Sequence, residues 1–299
     1  MKRIGARNLL SCLLVALILF FLIRVIYKNW TQVKGFDFSF AWSSLLISFL
    51  ILLGYLFFRV YIWMVMLHKM EASLSLRKCL KISFLSTMGK YLPGKVWLVL
   101  GKVYLAGKEG IPKPIALASA VLEVVLELTA SIVFFLLFLT TRPELTALSD
   151  NLLYILIVTV GAGLVMLHPK VFYAVMNGVL RWMKKETVQE SLGYTAMVYL
   201  FVNYMILVLV QGIAFYFFVN AICFIPPSTI FGLSASVAVA GALGTLSVFA
   251  PSGLGVREGI LALLLANYVV SPVAVLISLL ARIWVTAGEM ICALVGSRL

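Results

Sequence analysis

Glu123 and Glu127 stand four residues apart inside an apolar block running from Ile115 to Thr140. A helix there places both carboxylates on one face. They fall about 12–18 Å into that block at 1.5 Å per residue. If the block crosses a membrane, each ionised group costs at least ~2.5 kcal/mol near the centre. Such groups need a cation, a proton or a wet cavity. Arg59, one turn after Tyr55 in an earlier block, and Arg282 in the last block are the candidate partners, and Glu289 shares the face of Arg282. Two chemistries fit: Arg–Glu pairs that lock helices together, or a polar cavity that takes a charged head group or carries protons. The gathering of these groups near two breaks in the chain favours the cavity.

The sharper break reads Pro251-Ser-Gly-Leu-Gly-Val-Arg-Glu258. Gly253 and Gly255 permit positive φ or close backbone approach. Arg257 and Glu258 then open a helix, whose N-terminus favours negative charge. This is either an anion site or hinge at a broken helix, or a turn with a capping Glu. The other break, Gly89 to Lys95, spells G-x-x-x-x-G-K. Residue 96 is Val, Pro93 intrudes and no strand precedes it, so a nucleotide-binding loop is rejected. Backbone N–H groups freed by Gly89 and Gly94, flanked by Lys90 and Lys95, instead suit an anionic head group. Cys12, Cys79, Cys223 and Cys292 are scattered, and the two histidines, His68 and His168, sit at block ends. Neither a disulfide framework, a metal site nor a cofactor is expected.

The elements that must hold these residues are hydrophobic. The chain of 299 residues is 63% apolar and 12% charged, with mean hydropathy +1.11. Blocks of about twenty apolar residues match the thickness of a bilayer core, where backbone must satisfy itself as helix. Spans are expected at 8–27, 41–67, 115–140, 151–168 and 193–220, with two or three more in 228–297. The fold class is therefore all-α: a polytopic integral membrane bundle of about seven or eight transmembrane helices, one transmembrane domain over 1–299. No small-x-small cleavage site follows the first block, so it reads as a retained helix.

The net charge of +13 lies between the blocks, which excludes a nucleic-acid domain and points to topology signals and anionic lipid contacts. With a cytoplasmic N-terminus, sixteen Lys and Arg in loops fall on that side, Lys102, Lys170 and Arg181 among them, against three on the other. That orientation is expected. It forces residues 82–113 to leave and return on one side, as a re-entrant or interfacial pair. A second broken segment is expected at 241–272. Two such segments, one in each half, suggest the discontinuous helices of transporters built from two repeats.

GKYLPGKVWLVLGKVYLAGKEGI, LEVVLELTA and APSGLGVREG, with an Arg-x-x-x-Trp pattern from Arg59 to Trp63, resemble the lysylphosphatidylglycerol synthase transmembrane-domain family over essentially the whole chain. The resemblance implies about eight helices with re-entrant segments. In two-domain members this part looks like the half that moves aminoacylated phospholipid between leaflets. It marks Pro93, Gly94, Glu123, Pro251, Gly253, Gly255, Arg257 and Glu258 as motif positions. No aminoacyl-transferase domain follows Leu299, so aminoacylation is not expected. The expectation is a flippase-like, non-enzymatic translocase of charged or anionic lipid in a bacterial or archaeal cytoplasmic membrane. The alternative is a non-transporting partner of a separate lipid- or glycan-modifying enzyme; a membrane transferase is a third reading. Phospholipids with anionic or aminoacylated head groups are the expected ligands, and homo-oligomerisation is left open.

Overall fold

The computed structural model describes residues 24, 27, 34–36, 38–91, 96–141, 150–247 and 253–299. The expected first span, 8–27, and the motif residues Pro93, Gly94, Lys95 and Pro251 lie outside these. The described elements are α1 (Trp42–Lys69), α2 (Leu76–Thr87), a 3-10 turn (Met88–Tyr91), α3 (Val96–Lys108) and α4 (Lys113–Thr141), followed by α5 (Asp150–Met166), α6 (Pro169–Trp182) and α7 (Tyr194–Asn220). A second 3-10 turn (Pro227–Thr229) leads into α8 (Ile230–Leu246), α9 (Val256–Leu265) and α10 (Ser271–Arg298).

Among the described residues, five helical segments are long and apolar enough to cross a membrane: Trp42–Lys69, Lys113–Thr141, Tyr194–Asn220, Pro227–Leu246 and Ser271–Arg298. At 1.5 Å per residue a 28-residue helix such as α1 reaches about 40 Å, more than a hydrocarbon core. Phe40, Trp42, Leu46, Ile47 and Leu50 are exposed at the start of α1, as are Val198, Val202, Ile206 and Leu209 along α7. Water would not tolerate such faces, whereas lipid does. The protein is a polytopic helical membrane protein.

The expected span at 151–168 takes a different form. Helix α5 stops at Met166, and only with α6 does the pair reach spanning length, bent by 94° between them. Pro169 at the first turn of α6 starts a new helix rather than continuing the old one. Helix α6 buries Phe172, Tyr173, Met176 and Leu180 on one face. Lys170 and Arg181 make this stretch read as a charged loop in the sequence, and the structure corrects that. Between 228 and 297 the described residues hold two spans, α8 and α10, with the ten-residue α9 between them.

The packing repeats itself. Helix α1 lies against α7, and the two run antiparallel: the Ala41 N–H donates to the Ala221 carbonyl at 3.0 Å, while the Lys69 ammonium at the other end sits over the Tyr199 ring. Each is followed by a helical hairpin, α2–α3 or α8–α9, and then by a long helix, α4 or α10. The second hairpin helix packs on its own long helix (α3 on α4, α9 on α10), and the first packs on the other unit's (α2 on α10, α8 on α4). Antiparallel units with matched contacts make an inverted repeat, residues 42–141 against 194–298, with the hairpins starting from opposite ends of the bundle.

Both hairpins close on glycine. A Cβ on Gly89 would fall 2.8 Å from the Trp97 carbonyl oxygen, and one on Gly253 would fall 2.7 Å from that of Gly244. Gly253 also has φ of +68°, which penalises any L side chain. Gly253→Ala is therefore expected to lose about 2–3 kcal/mol of stability. Gly54→Ala, where nothing lies within 4 Å of the new methyl, is expected to be neutral or slightly stabilising. Thermal unfolding of the two purified variants checks this, and equal melting temperatures would refute it.

Candidate functional site

The two carboxylates of α4 meet their partner across α1. Arg59 Nε donates to Glu123 Oε1 at 2.9 Å, and its Nη2 donates to Glu127 Oε2 at 2.7 Å. The i, i+4 spacing of the glutamates lets one guanidinium fork hold both. The other oxygen of Glu123 accepts from the Lys102 ammonium of α3, which also lies 3.9 Å from the centroid of the Trp63 ring. Trp63 in turn donates to Ser119 of α4 at 3.2 Å. The orientation count places Lys102 in a cytoplasmic loop; the structure corrects this, because Lys102 is 4% exposed and packed inside the bundle. The one signal for this was its position in the apolar run Val96–Ala106, where a surface lysine would have no polar neighbours in sequence.

A second charge group sits where the first hairpin meets α10. The Lys90 ammonium pairs with Glu289, and the Tyr91 hydroxyl donates to Glu289 Oε2 at 2.5 Å. The Thr286 hydroxyl lies 3.2 Å from the Tyr91 oxygen and can donate to it, and the Tyr91 ring lies beneath both the Lys90 and Arg282 cations. Arg282 is not a partner of Glu123 or Glu127, as the sequence reading offered; it lies 3.8 Å from Glu258. Glu258 has a second task. Its Oε2 accepts the Gly255 N–H at 2.6 Å, capping the start of α9. Gly255 reaches this geometry with φ of +82°. The capping reading of the Pro251–Glu258 motif thus holds for Glu258, and Gly253 serves the hairpin contact already described.

Arg257 differs from the other cations. It makes no ion pair or hydrogen bond with any of the described residues, yet it lies within electrostatic range of Glu289, Lys90 and Tyr55. Tyr55 is buried within electrostatic range of both charge groups, through Glu127 and Arg59 of the first and Arg257 and Glu289 of the second. Tyr204 of α7 is fully buried beside Glu123 and Arg59, and its hydroxyl has no hydrogen-bond partner among the described residues. No spacing or motif in the sequence singles out either tyrosine.

Arg59, Lys102 and Glu123 of the first group and Glu289 of the second border one narrow cleft of about 40 Å³. Its walls come from α1, α2, α3, α4 and α10, and its polar lining is Arg59, Ser83, Ser86, Thr87, Lys102, Glu123 and Glu289. Leu56, Val60, Leu98 and Val99 supply an apolar side. Opposite charges facing an apolar wall suit an amphipathic molecule: a polar head against the ions, a chain against the aliphatic residues. Among the described residues, no three His, Cys, Asp or Glu side chains come together as a metal would require. At its outer end the hairpin is tied by Lys78 to Glu109 at 2.9 Å, and that ammonium holds the Glu109 carboxyl below the usual carboxylate range.

Two comparisons bear on this arrangement. A family model described as "Lysylphosphatidylglycerol synthase TM region" matches residues 8–291. The chain matches no curated protein.

Proposed function

Because the chain belongs to the lysylphosphatidylglycerol synthase TM region family, we propose that it is a lipid translocase, moving a charged phospholipid or lipid-linked head group between the leaflets of a cytoplasmic membrane. The observation that carries this reading is the cleft itself. Arg59, Lys102, Glu123 and Glu289 line one space between helices long enough to span lipid. Ionisable groups at that depth are costly, and they are found facing bundle interiors and polar pathways. The inverted repeat supports the same reading, since two hairpins set at opposite ends give a means of opening one side at a time. In this reading the N-terminus is cytoplasmic, the first hairpin is re-entrant from that side, and Lys90, Lys95 and Arg257 approach the lipid phosphate. Pro93, Gly94 and Pro251 belong to the same proposed set of lipid-binding residues.

Burial of Lys102 and the pairing of the partly exposed Lys90 with Glu289 weaken the alternative of a non-transporting docking partner, because those charges contribute less to a basic outer surface. The test is direct. Purified protein reconstituted into vesicles carrying head-group-labelled phosphatidylglycerol is expected to expose inner-leaflet label to an external quencher, and protein-free vesicles are not. Label that stays protected, in vesicles shown to contain folded protein, would overturn the proposal.

A further inference from the structure

Between α4 and α7 the chain has to cross the bundle once. Helix α4 starts at the end where α1 stops, since Lys78 in the first turn of α2 pairs at 2.9 Å with Glu109, just ahead of α4. Helix α7 starts at that same end, where the Lys69 ammonium lies over the Tyr199 ring. Between them the described residues form α5 and α6, which meet at 94° and so cannot both run along the bundle. Helix α5 makes the crossing. It carries no charged residue after Asp150, and its 17 residues reach about 25 Å. It also packs so closely on α4 that a Cβ on Gly163 would collide with the Thr129 side chain. Helix α6 is left lying across the bundle at the end where α7 begins, and His168, just before it, has its ring centroid 6.2 Å from that of Tyr194.

Helix α6 has three sides. One faces protein: Phe172, Tyr173, Met176 and Leu180 are buried. That side is pinned to the following loop by the Asn177 amide, which exchanges hydrogen bonds of 2.8 and 2.9 Å with the Val188 backbone, and by the Tyr173 oxygen, which accepts the Leu192 N–H at 3.2 Å. The second side is exposed and apolar, with Val175, Val179 and Trp182 at i, i+4 and i+7 and Trp182 85% exposed. The third is exposed and basic. Lys170 and Arg181 are eleven residues apart, about three turns, and so share an edge. Lys184 and Lys185 follow at the helix end, also exposed. Among the described residues none of these four cations has an ion-pair partner, although Glu186 and Glu190 lie in the next loop.

These sides match the layers of a bilayer surface, with acyl chains below and phosphates beside the helix. We propose that α6 lies in the membrane–water interface, with Val175, Val179 and Trp182 against the acyl boundary and Lys170, Arg181, Lys184 and Lys185 binding the phosphates of anionic lipids. Tryptophan is favoured at that depth. An acidic protein partner would match the cations but leave the three apolar side chains in water; a lipid surface matches both. The assignment is independent of the translocase reading, since a bundle that moves no lipid would use the same anchor.

Trp182 supplies the probe. Full-length protein is reconstituted in phosphatidylcholine vesicles containing small fractions of phosphatidylglycerol or phosphatidylcholine brominated near the head group, and Trp182 emission is taken as the difference between wild type and Trp182→Phe. A cation beside an anionic leaflet contributes about five-fold in affinity. Brominated phosphatidylglycerol is therefore expected to quench Trp182 at a mole fraction about ten-fold or more below that needed with phosphatidylcholine, and high salt to shrink the difference. Lys170→Gln/Arg181→Gln/Lys184→Gln/Lys185→Gln is expected to abolish the preference at an unchanged melting temperature, since the four side chains are exposed and unpaired. Should that variant fail to fold, Lys184→Gly serves instead. It relieves a φ of +54°, so the fold is kept, and the preference is expected to fall about two- to five-fold. No quenching of Trp182 by either lipid would overturn the proposal and leave the basic edge to an acidic protein. Equal quenching by both lipids in the wild type would overturn it as well, as would an undiminished preference in the charge-removed variants.

Discussion

Glu123→Gln destabilises the protein by about 3–5 kcal/mol, the cost of leaving one member of a buried ion pair alone, and lowers its melting temperature on the order of 10 °C. Glu123 has one oxygen on Arg59 and the other on Lys102, and the side chains of Glu123 and Lys102 are 9% and 5% exposed. Gln keeps the shape and can still accept from Arg59, but the Lys102 ammonium then faces an amide dipole instead of a charge. The double variant Glu123→Gln/Lys102→Met removes the orphaned cation as well, and is expected to recover most of the lost stability. Melting curves of the wild type, both single variants and the double variant close the cycle. A melting temperature for Glu123→Gln within a degree or so of wild type would show that Lys102 has another route to neutralisation.

Arg257→Gln is expected to do the opposite: little to stability, nearly everything to transport. Its guanidinium has no ion pair with the described residues, so no carboxylate is stranded when it goes, and the fold is expected to change by less than about 1 kcal/mol. If Arg257 meets the lipid phosphate inside the site, losing that charge removes about 2–5 kcal/mol of interaction. That corresponds to a fall in translocation of about 30-fold or more. Initial rates of label movement in vesicles with matched protein content measure it. Arg257→Lys is expected to retain part of the rate, since charge remains while the forked geometry is lost. Wild-type rates in Arg257→Gln would remove Arg257 from the lipid's path.

The contrast between these two residues shows how far the residue types alone could be read. Both stand out in the sequence as charges beside or within apolar runs. The pairing of Arg59 with Glu123 and Glu127 was open to inference, because a lone cation and two carboxylates on long apolar helices leave few alternatives. The choice of Glu258 by Arg282 was not, because it depends on how α9 docks on α10. Lys102 was assigned to the wrong environment altogether. Orientation counts treat every lysine between spans as solvated, whereas the α2–α3 hairpin folds back so that α3 packs on α4 and carries Lys102 inside. Helix α6 was missed for a related reason: its charges are spaced so that one face stays apolar, which a count of loop lysines does not register.

Block length and hydropathy by themselves settled that this is a helical membrane protein, because in lipid a backbone can satisfy its hydrogen bonds in few ways. They also point to two chain breaks, since Gly and Pro act on the local backbone wherever they occur. Only tertiary structure decided which charges neutralise one another and which is left over. Ion pairing depends on distances of a few ångströms between residues as much as 199 apart in sequence, as for Lys90 and Glu289. Those distances follow from the inverted packing of two hairpins against each other's long helices, an arrangement that near-identical apolar faces do not encode one residue at a time.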